Sequence, residues 1–365
     1  MIYLAIDHRD PVSGRPMPNG IPLEQHHLIE QMDGHRLDYP RILYYLHQCR
    51  IPQQIVETEQ APPGAWYPVV IGFFDFSADY IAMISSAAHT RIQQKQMQLV
   101  FTYHEGDNPV HMREHINQLC ANHAIDPKQV WLISGNSSAD SVPGCVYWPE
   151  LEFMYWRTVD RSAGAQYHSQ PRSQAFTGLC RIDKLWRKVF MSELWADGLH
   201  QKGYFSYTQH LLGGEDDYFG CALRNDYTAN MTDLYNDSYF NIVLETMIDI
   251  DNSGGQFITE KTFKPIFNNQ FFVAVSSHNH MAHLRELGYQ SFGRVIDEHY
   301  DSIENNQERF EAVLALTKSL CAKPLSELHL IYHELQPEIH HNHQVFVAGM
   351  RHRLQAVIDR INYKP

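Results

Sequence analysis

The first half of the chain alternates two hydrophobic periods. Residues 2–6 (IYLAI) are a short apolar run of strand length, and residues 39–49 (YPRILYYLHQC) carry apolar positions at helical spacing. PVVIGFF (68–74) reads as a buried strand, and the spacing over 77–96 predicts a long helix. QLVFTYHE (98–105) is strand-like, 111–125 is helical, and QVWLISGN (129–136) is a strand ending in turn residues. Residues 157–175 are polar, with little periodicity. The pattern then restarts: AFTGLCRI as strand, 183–199 as helix, GYFSYT as strand, then SYFNIVLET, FITEKTFKPIF, FFVAVS and the helix HMAHLRELG. Helices near 304–321 and 344–361 close the chain.

Strands separated by helices of this length imply parallel βαβ units with helices on both faces. The expected class is therefore α/β, with two doubly wound Rossmann-type domains facing a central cleft. An N-terminal domain is expected over 1–160, a linker at 161–175 and a second α/β domain over 176–340. A C-terminal helix at 341–365 is expected to pack back on the first domain. In such folds ligands bind at the C-terminal ends of the strands.

Composition narrows the function classes. The 365 residues are 44% hydrophobic and 19% charged, a globular balance. Net charge is 29 − 42 = −13, against a protein that holds nucleic acid by phosphate neutralisation alone. The cysteines at 49, 120, 145, 180, 221 and 321 form no CxxC pair and read as reduced, buried thiols. MIYLAIDHRD lacks a signal-peptide pattern, and Trp66–Ala88, the most apolar stretch, is interrupted by Asp75 and Asp79. A soluble, cytoplasmic protein is expected. Neither GxGxxG nor GxxxxGK[ST] occurs, which removes the main support for a nicotinamide or P-loop reading. LLGGEDD (211–217) lacks the required spacing and reads as a surface turn.

Chemistry concentrates between Ser238 and Gly288. Thr259 can cap a helix whose first turns hold Glu260, Lys261 and Lys264. Helix N-terminal amides with two lysines within a turn suit a dianion such as a diphosphate, and Glu260 offers an acceptor for sugar hydroxyls. Pro265 is expected only near a first helical turn, which fixes that helix start. Arg181, Lys184, Arg187 and Lys188 form a second basic cluster between a strand and a helix. For Lys184 and Lys188 the plainer reading is a solvated helix face.

The run ITEK, followed by an apolar helix, a strand and a helix, resembles the donor-binding motif of the family-10 fucosyltransferases, which have the GT-B fold. Glu245, Phe257, Glu260 and Lys261 take the places of that motif's acidic, aromatic, Glu and Lys positions. LCRIDKLWRKVFMSEL and KGYFSYT resemble segments of phage-type and marine bacterial relatives of the same superfamily. The likeness covers roughly 174–314. It departs at Thr246, where the family has Asn, at Phe257, where it has Tyr, and in the longer loop MIDIDNSGGQ.

The resemblance implies a fucosyltransferase-like glycosyltransferase, moving a hexosyl or pentosyl group from a nucleotide-diphosphate sugar to an acceptor hydroxyl. It implies inversion and no metal or other cofactor. The expected donor residues are Arg181, Lys184, Arg187, Glu245, Phe257, Thr259, Glu260, Lys261 and Lys264. Arg181 and Lys261 would bind the diphosphate, with Glu260 on the sugar or ribose. The setting would be a bacterial or phage-infected cell.

Such transfer needs a carboxylate to deprotonate the acceptor. Glu105, in HEGDNP after a strand of the first domain, is the candidate, with Asp107 and Asp75 as alternatives. A glycan is the expected acceptor. A modified DNA base is the alternative and would need a basic rim, for which Arg9, Arg15, Arg36, Arg41, Arg91 and Lys95 are the local candidates. A non-catalytic sugar-nucleotide-binding protein on the same scaffold is the competing class. His329 and His333 stand i, i+4 beside Glu334, before EIHHNH, a spacing that could hold zinc, but HLIYH lacks the Glu of HExxH. His278, His280 and His283 are expected to line the cleft.

Overall fold

The computed structural model describes residues 1–7, 17, 19, 41–71, 74–103, 105–159, 170–180, 184–206, 232–249 and 254–362. They form two parallel sheets, of six and four strands, and twelve α-helices, a two-domain Rossmann-like α/β arrangement. The chain divides into two compact units. Unit 1 holds Met1–Glu150, Asp251–Phe257 and Met350–Pro365, and unit 2 holds Leu151–Ile250 and Ile258–Gly349. Among the described residues no helix is long and apolar enough to cross a membrane.

In unit 1 the strands are β1 (Ile2–Ile6), β2 (Gln53–Glu57), β3 (Ala65–Ile71), β4 (Met97–Tyr103), β5 (Val130–Ser134) and β6 (Cys145–Tyr147). They run in the order β2-β1-β3-β4-β5-β6. All seven residues of β4 are buried, as expected of a parallel strand covered on both faces. The helices are α1 (Arg41–Gln48), α2 (Ser86–Gln93), α3 (Pro109–Asn122) and, returning from the end of the chain, α12 (Met350–Asn362). Trp66 Nε1 donates to the Asn362 side chain at 3.2 Å, tying α12 to β3.

The helix expected over 77–96 forms only over Ser86–Gln93. Asp75 accepts from Ser77 N, and Asp79 accepts from Ile81 N and Ala82 N, so these carboxylates hold the preceding backbone in turns. Ser85 then caps α2 by accepting from Ala88 N. β2 and β6 are additional to the strands read from the sequence.

In unit 2 the strands are β7 (Gln174–Leu179), β8 (Gly203–Ser206), β9 (Ser238–Leu244) and β10 (Phe271–Val275), in the order β10-β9-β7-β8. The helices are α4 (Glu150–Thr158), α5 (Leu185–Ala196), α6 (Thr232–Asn236), α7 (Glu260–Phe267), α8 (His280–Glu286), α9 (Asn306–Ala322), α10 (Leu325–Glu334) and α11 (Gln336–Ala348). Pro265 lies at the sixth position of α7 rather than in its first turn. The helix ends two residues later, so the proline costs it little ladder.

Both sheets repeat one order. The second strand of each unit flanks the first on one side, and the third flanks it on the other. The chain therefore reverses its winding between β1 and β3 in unit 1, and between β7 and β9 in unit 2. Ligands of open α/β sheets bind outside the strand C-termini at such switch points.

Candidate functional site

At the unit 2 switch point, Glu245 directly follows β9, and its side chain is buried. It accepts hydrogen bonds from Thr259 N at 3.1 Å, Thr259 Oγ1 at 2.6 Å and Thr262 Oγ1 at 2.6 Å. Thr246 N adds a fourth, at 3.1 Å. One carboxylate thus fixes the N-terminus of α7 against the end of β9. Thr259 is the N-cap, its side chain accepting from Lys261 N, as the sequence reading expects.

Lys261 extends over this junction. Its Nζ lies 2.9 Å from Glu260 Oε1, 3.2 Å from Thr259 Oγ1 and 3.4 Å from Thr246 Oγ1. Its side chain is 29% exposed, so the ammonium remains reachable from solvent. Burial by itself raises the Glu245 carboxyl. Lys261, His280 and the hydroxyls of Thr259 and Thr262 outweigh burial and hold it below the ordinary value. His280 Nε2 lies 3.2 Å from Thr262 Oγ1. Burial pushes this imidazole down, so near neutral pH the positive charge facing Glu245 comes from Lys261.

Two residues of the second basic cluster reach the same junction from α5. Lys184 Nζ donates to Thr246 O at 2.7 Å, and Arg187 donates to Glu245 O at 2.6 Å. Lys184 is half-buried and Arg187 is buried, with its guanidinium 4.9 Å from the Trp186 ring centroid. They hold the loop after β9 in place, rather than forming a fully solvated helix face. Arg181 lies outside the described residues, as do LLGGEDD, Cys221 and residues 160–169 of the expected linker.

The structure thus brings together Lys184, Arg187, Glu245, Thr259, Glu260 and Lys261. Lys264 Nζ stands 6.0 Å from the Tyr155 ring centroid. Phe257 belongs to unit 1, where it packs so closely on Gly106 that a Cβ there would lie 2.6 Å from its ring. Thr262, next to Lys261, is absent from the sequence reading; Thr246 enters it only as a departure from the family, and His280 only as a residue lining the cleft.

In unit 1, Glu105 is half-buried just past the C-terminal end of β4. Its loop is well fixed: Asn136 Nδ2 donates to Gly106 O at 2.9 Å, and Asn108 caps α3 by accepting from Val110 N. Tyr103 OH donates to Asp107. Asp75 lies in an exposed turn.

The unit 1 switch point holds a group that the sequence reading passed over. Asp7, directly after β1, accepts from Thr58 Oγ1 and Ser85 Oγ, each at 2.8 Å, and from Tyr67 OH. Burial, then Asp7, pushes the Tyr67 hydroxyl well up. β1 pairs with β3 at Leu4 and Trp66, and beyond that point Asn19 spans the two strands. Its Nδ2 donates to Ala5 O and Pro68 O, and its Oδ1 accepts from Asp7 N. The only signal available was position: Asp7 is the first polar residue after the first strand.

Of the basic-rim candidates, Arg91 donates to the carbonyls of Glu59 and Ala61, and Lys95 pairs with Asp126 at 2.7 Å. Arg9, Arg15 and Arg36 lie outside the described residues, and Arg41 opens α1. His283 Nδ1 lies 2.9 Å from Glu286, and His278 is half-buried. Burial, then His333 and Arg172, hold the His329 imidazole below its ordinary value.

Compared with protein-family models, curated proteins and solved structures, the chain matches none.

Proposed function

We propose that the chain is a glycosyltransferase of GT-B type, moving a sugar from a nucleotide-diphosphate donor to an acceptor hydroxyl, with inversion and with a glycan as acceptor. One observation carries this reading: Lys261 and the capped N-terminus of α7 are held at the unit 2 switch point by the buried Glu245. That placement joins a cation and helix amides at the position where α/β sheets receive phosphate groups. The resemblance of the ITEK segment to family-10 fucosyltransferases supports the same assignment.

In this reading Lys261 and the α7 amides bind the diphosphate and stabilise it as it leaves the anomeric carbon. The ammonium exchanges its contact with Glu260 Oε1 for a phosphate oxygen, which frees Glu260 to accept from a donor hydroxyl. Glu245, Lys184 and Arg187 position the junction from beneath. Glu105 is the proposed base that takes the acceptor proton.

Nucleotide release from a panel of UDP-, GDP-, CMP- and dTDP-sugars, with and without EDTA, tests the proposal. Slow hydrolysis of one donor, unchanged by EDTA and lost in Lys261→Ala, is the expected result. Nucleotide binding without release, even with glycan and DNA acceptors added, would instead favour a binding protein. Activity abolished by EDTA would overturn the metal-independent mechanism.

A further inference from the structure

Away from this junction, α10 carries a histidine pair that the proposed reaction does not use. His329 and His333 are one helical turn apart, and their Nε2 atoms face each other at 2.9 Å. The rings are steeply inclined, 77° between planes with centroids 4.2 Å apart. Two neutral imidazoles at this distance can satisfy both nitrogens only by sharing one proton. If that proton is released to solvent, a cation standing off the line between the nitrogens would receive a lone pair from each ring.

The outer nitrogen of the pair is also organised. His329 Nδ1 lies 3.2 Å from Tyr239 OH. Tyr239 is buried on β9, so this contact orients the ring from the sheet and leaves Nε2 as its outward-facing nitrogen. Outer-sphere hydrogen bonds of this kind fix ring orientation and tautomer in metal-binding histidines. Both histidines are half-buried, so solvent reaches part of each ring.

We propose that His329 and His333 form a two-imidazole chelate for a divalent transition-metal ion, with copper(II) or nickel(II) favoured over zinc. The preference comes from geometry. Metal–nitrogen bonds of about 2.0 Å at about 90° put the nitrogens about 2.8 Å apart, whereas tetrahedral zinc needs about 3.3 Å. The observed 2.9 Å fits the tetragonal case. The nearby Glu334 carboxylate is engaged by Arg294 at 3.2 Å, so water completes the coordination. Among the described residues no group of three or more His, Cys, Asp and Glu could hold a metal ion, so the site is a chelating pair rather than a closed cage.

The test uses the full chain after dialysis against EDTA, titrated calorimetrically with Cu(II), Ni(II) and Zn(II). With 23 histidines some background binding is expected, so variants decide the outcome. One Ni(II) site should weaken about tenfold or more in both His329→Gln and His333→Gln, and be unchanged in His341→Gln on the neighbouring helix. The Cu(II) protein should show electron-spin couplings to two nitrogens, reduced to one in either pair variant. Far-UV circular dichroism guards against misfolding, and Tyr239→Phe, which keeps both ligands, should weaken binding less than either histidine change. Isotherms unchanged in both pair variants would overturn the site. Zinc bound more tightly than nickel would overturn its tetragonal geometry.

Discussion

At the C-terminal ends of β1 and β3, unit 1 gathers one carboxylate, Asp7, with the hydroxyls of Thr58, Tyr67 and Ser85. At the corresponding ends of β7 and β9, unit 2 gathers Lys184, Lys261 and a helix N-terminus around the inward-facing Glu245. The strand order is the same in both, so topology fixes where a ligand can sit and leaves its chemistry to a few side chains. The carboxylate in unit 1 is held by hydroxyls, with no cation among the described residues that hold it. The one in unit 2 is covered by threonines and leaves an ammonium outermost.

The largest test of that contrast is stability. Glu245→Ala should cost about 3–5 kcal/mol, because it strips a buried charge partner from Lys261 and leaves buried donors unpaired. Asp7→Ala should cost less, about 1–3 kcal/mol, because Asp7, unlike Glu245, is itself half-buried and water can enter the space it leaves. Equal losses in urea unfolding would break the comparison. Next, Lys261→Ala should weaken nucleotide-diphosphate binding by about 1.5–3 kcal/mol, while Asp7→Asn leaves it unchanged. A parallel loss in both variants, read by calorimetry, would place the nucleotide elsewhere.

Acid sensitivity sharpens the picture of unit 2. Burial holds His280 low, so its contribution to stability is complete above the unfolded value of about 6.5 and is lost as pH falls through its lowered folded value. Burial pushes Glu298 up to about 7. Its contribution is complete below the unfolded value of about 4.3 and is lost as pH rises through 7. The two slopes oppose each other between those limits. Glu298→Gln should therefore make the protein lose more stability than the wild type between pH 7 and pH 5, and His280→Gln should make it lose less, read as urea midpoints. The smallest effect expected is Ser85→Ala, at about 1 kcal/mol, since it removes the cap of α2. A larger loss would show that the Ser85 bond to Asp7 also matters strongly.

Much of the fold was legible because parallel strands buried on both faces read as apolar runs, nearly unbroken in β4 and β9 and wholly so in β10. β6, three residues long, and β2, largely polar, carry no such run. The overlong helix over 77–96 failed because propensity ignores the bonds that Asp75 and Asp79 make to their own backbone. At the site, whatever is local could be read: Thr259, Glu260 and Lys261 lie within three residues. The bond from Arg187 to Glu245 O spans 58 residues and leaves no trace in spacing.

The buried arginines have a consequence of their own. Arg113 donates to the carbonyls of Val130 and Pro127, Arg172 to those of Tyr235 and Ser238, and Arg309 to those of Ser276, Ile303 and Ile248. Arg113 and Arg172 each clasp one stretch of main chain, and Arg309 joins three. A carbonyl oxygen keeps its lone pairs at any physiological pH, and a guanidinium keeps its charge. These clasps are indifferent to the side chains of the segments they hold, so those segments can change their residues while their paths stay fixed. Lysine could not inherit the task, because a single ammonium cannot present a flat fork to several carbonyls at once.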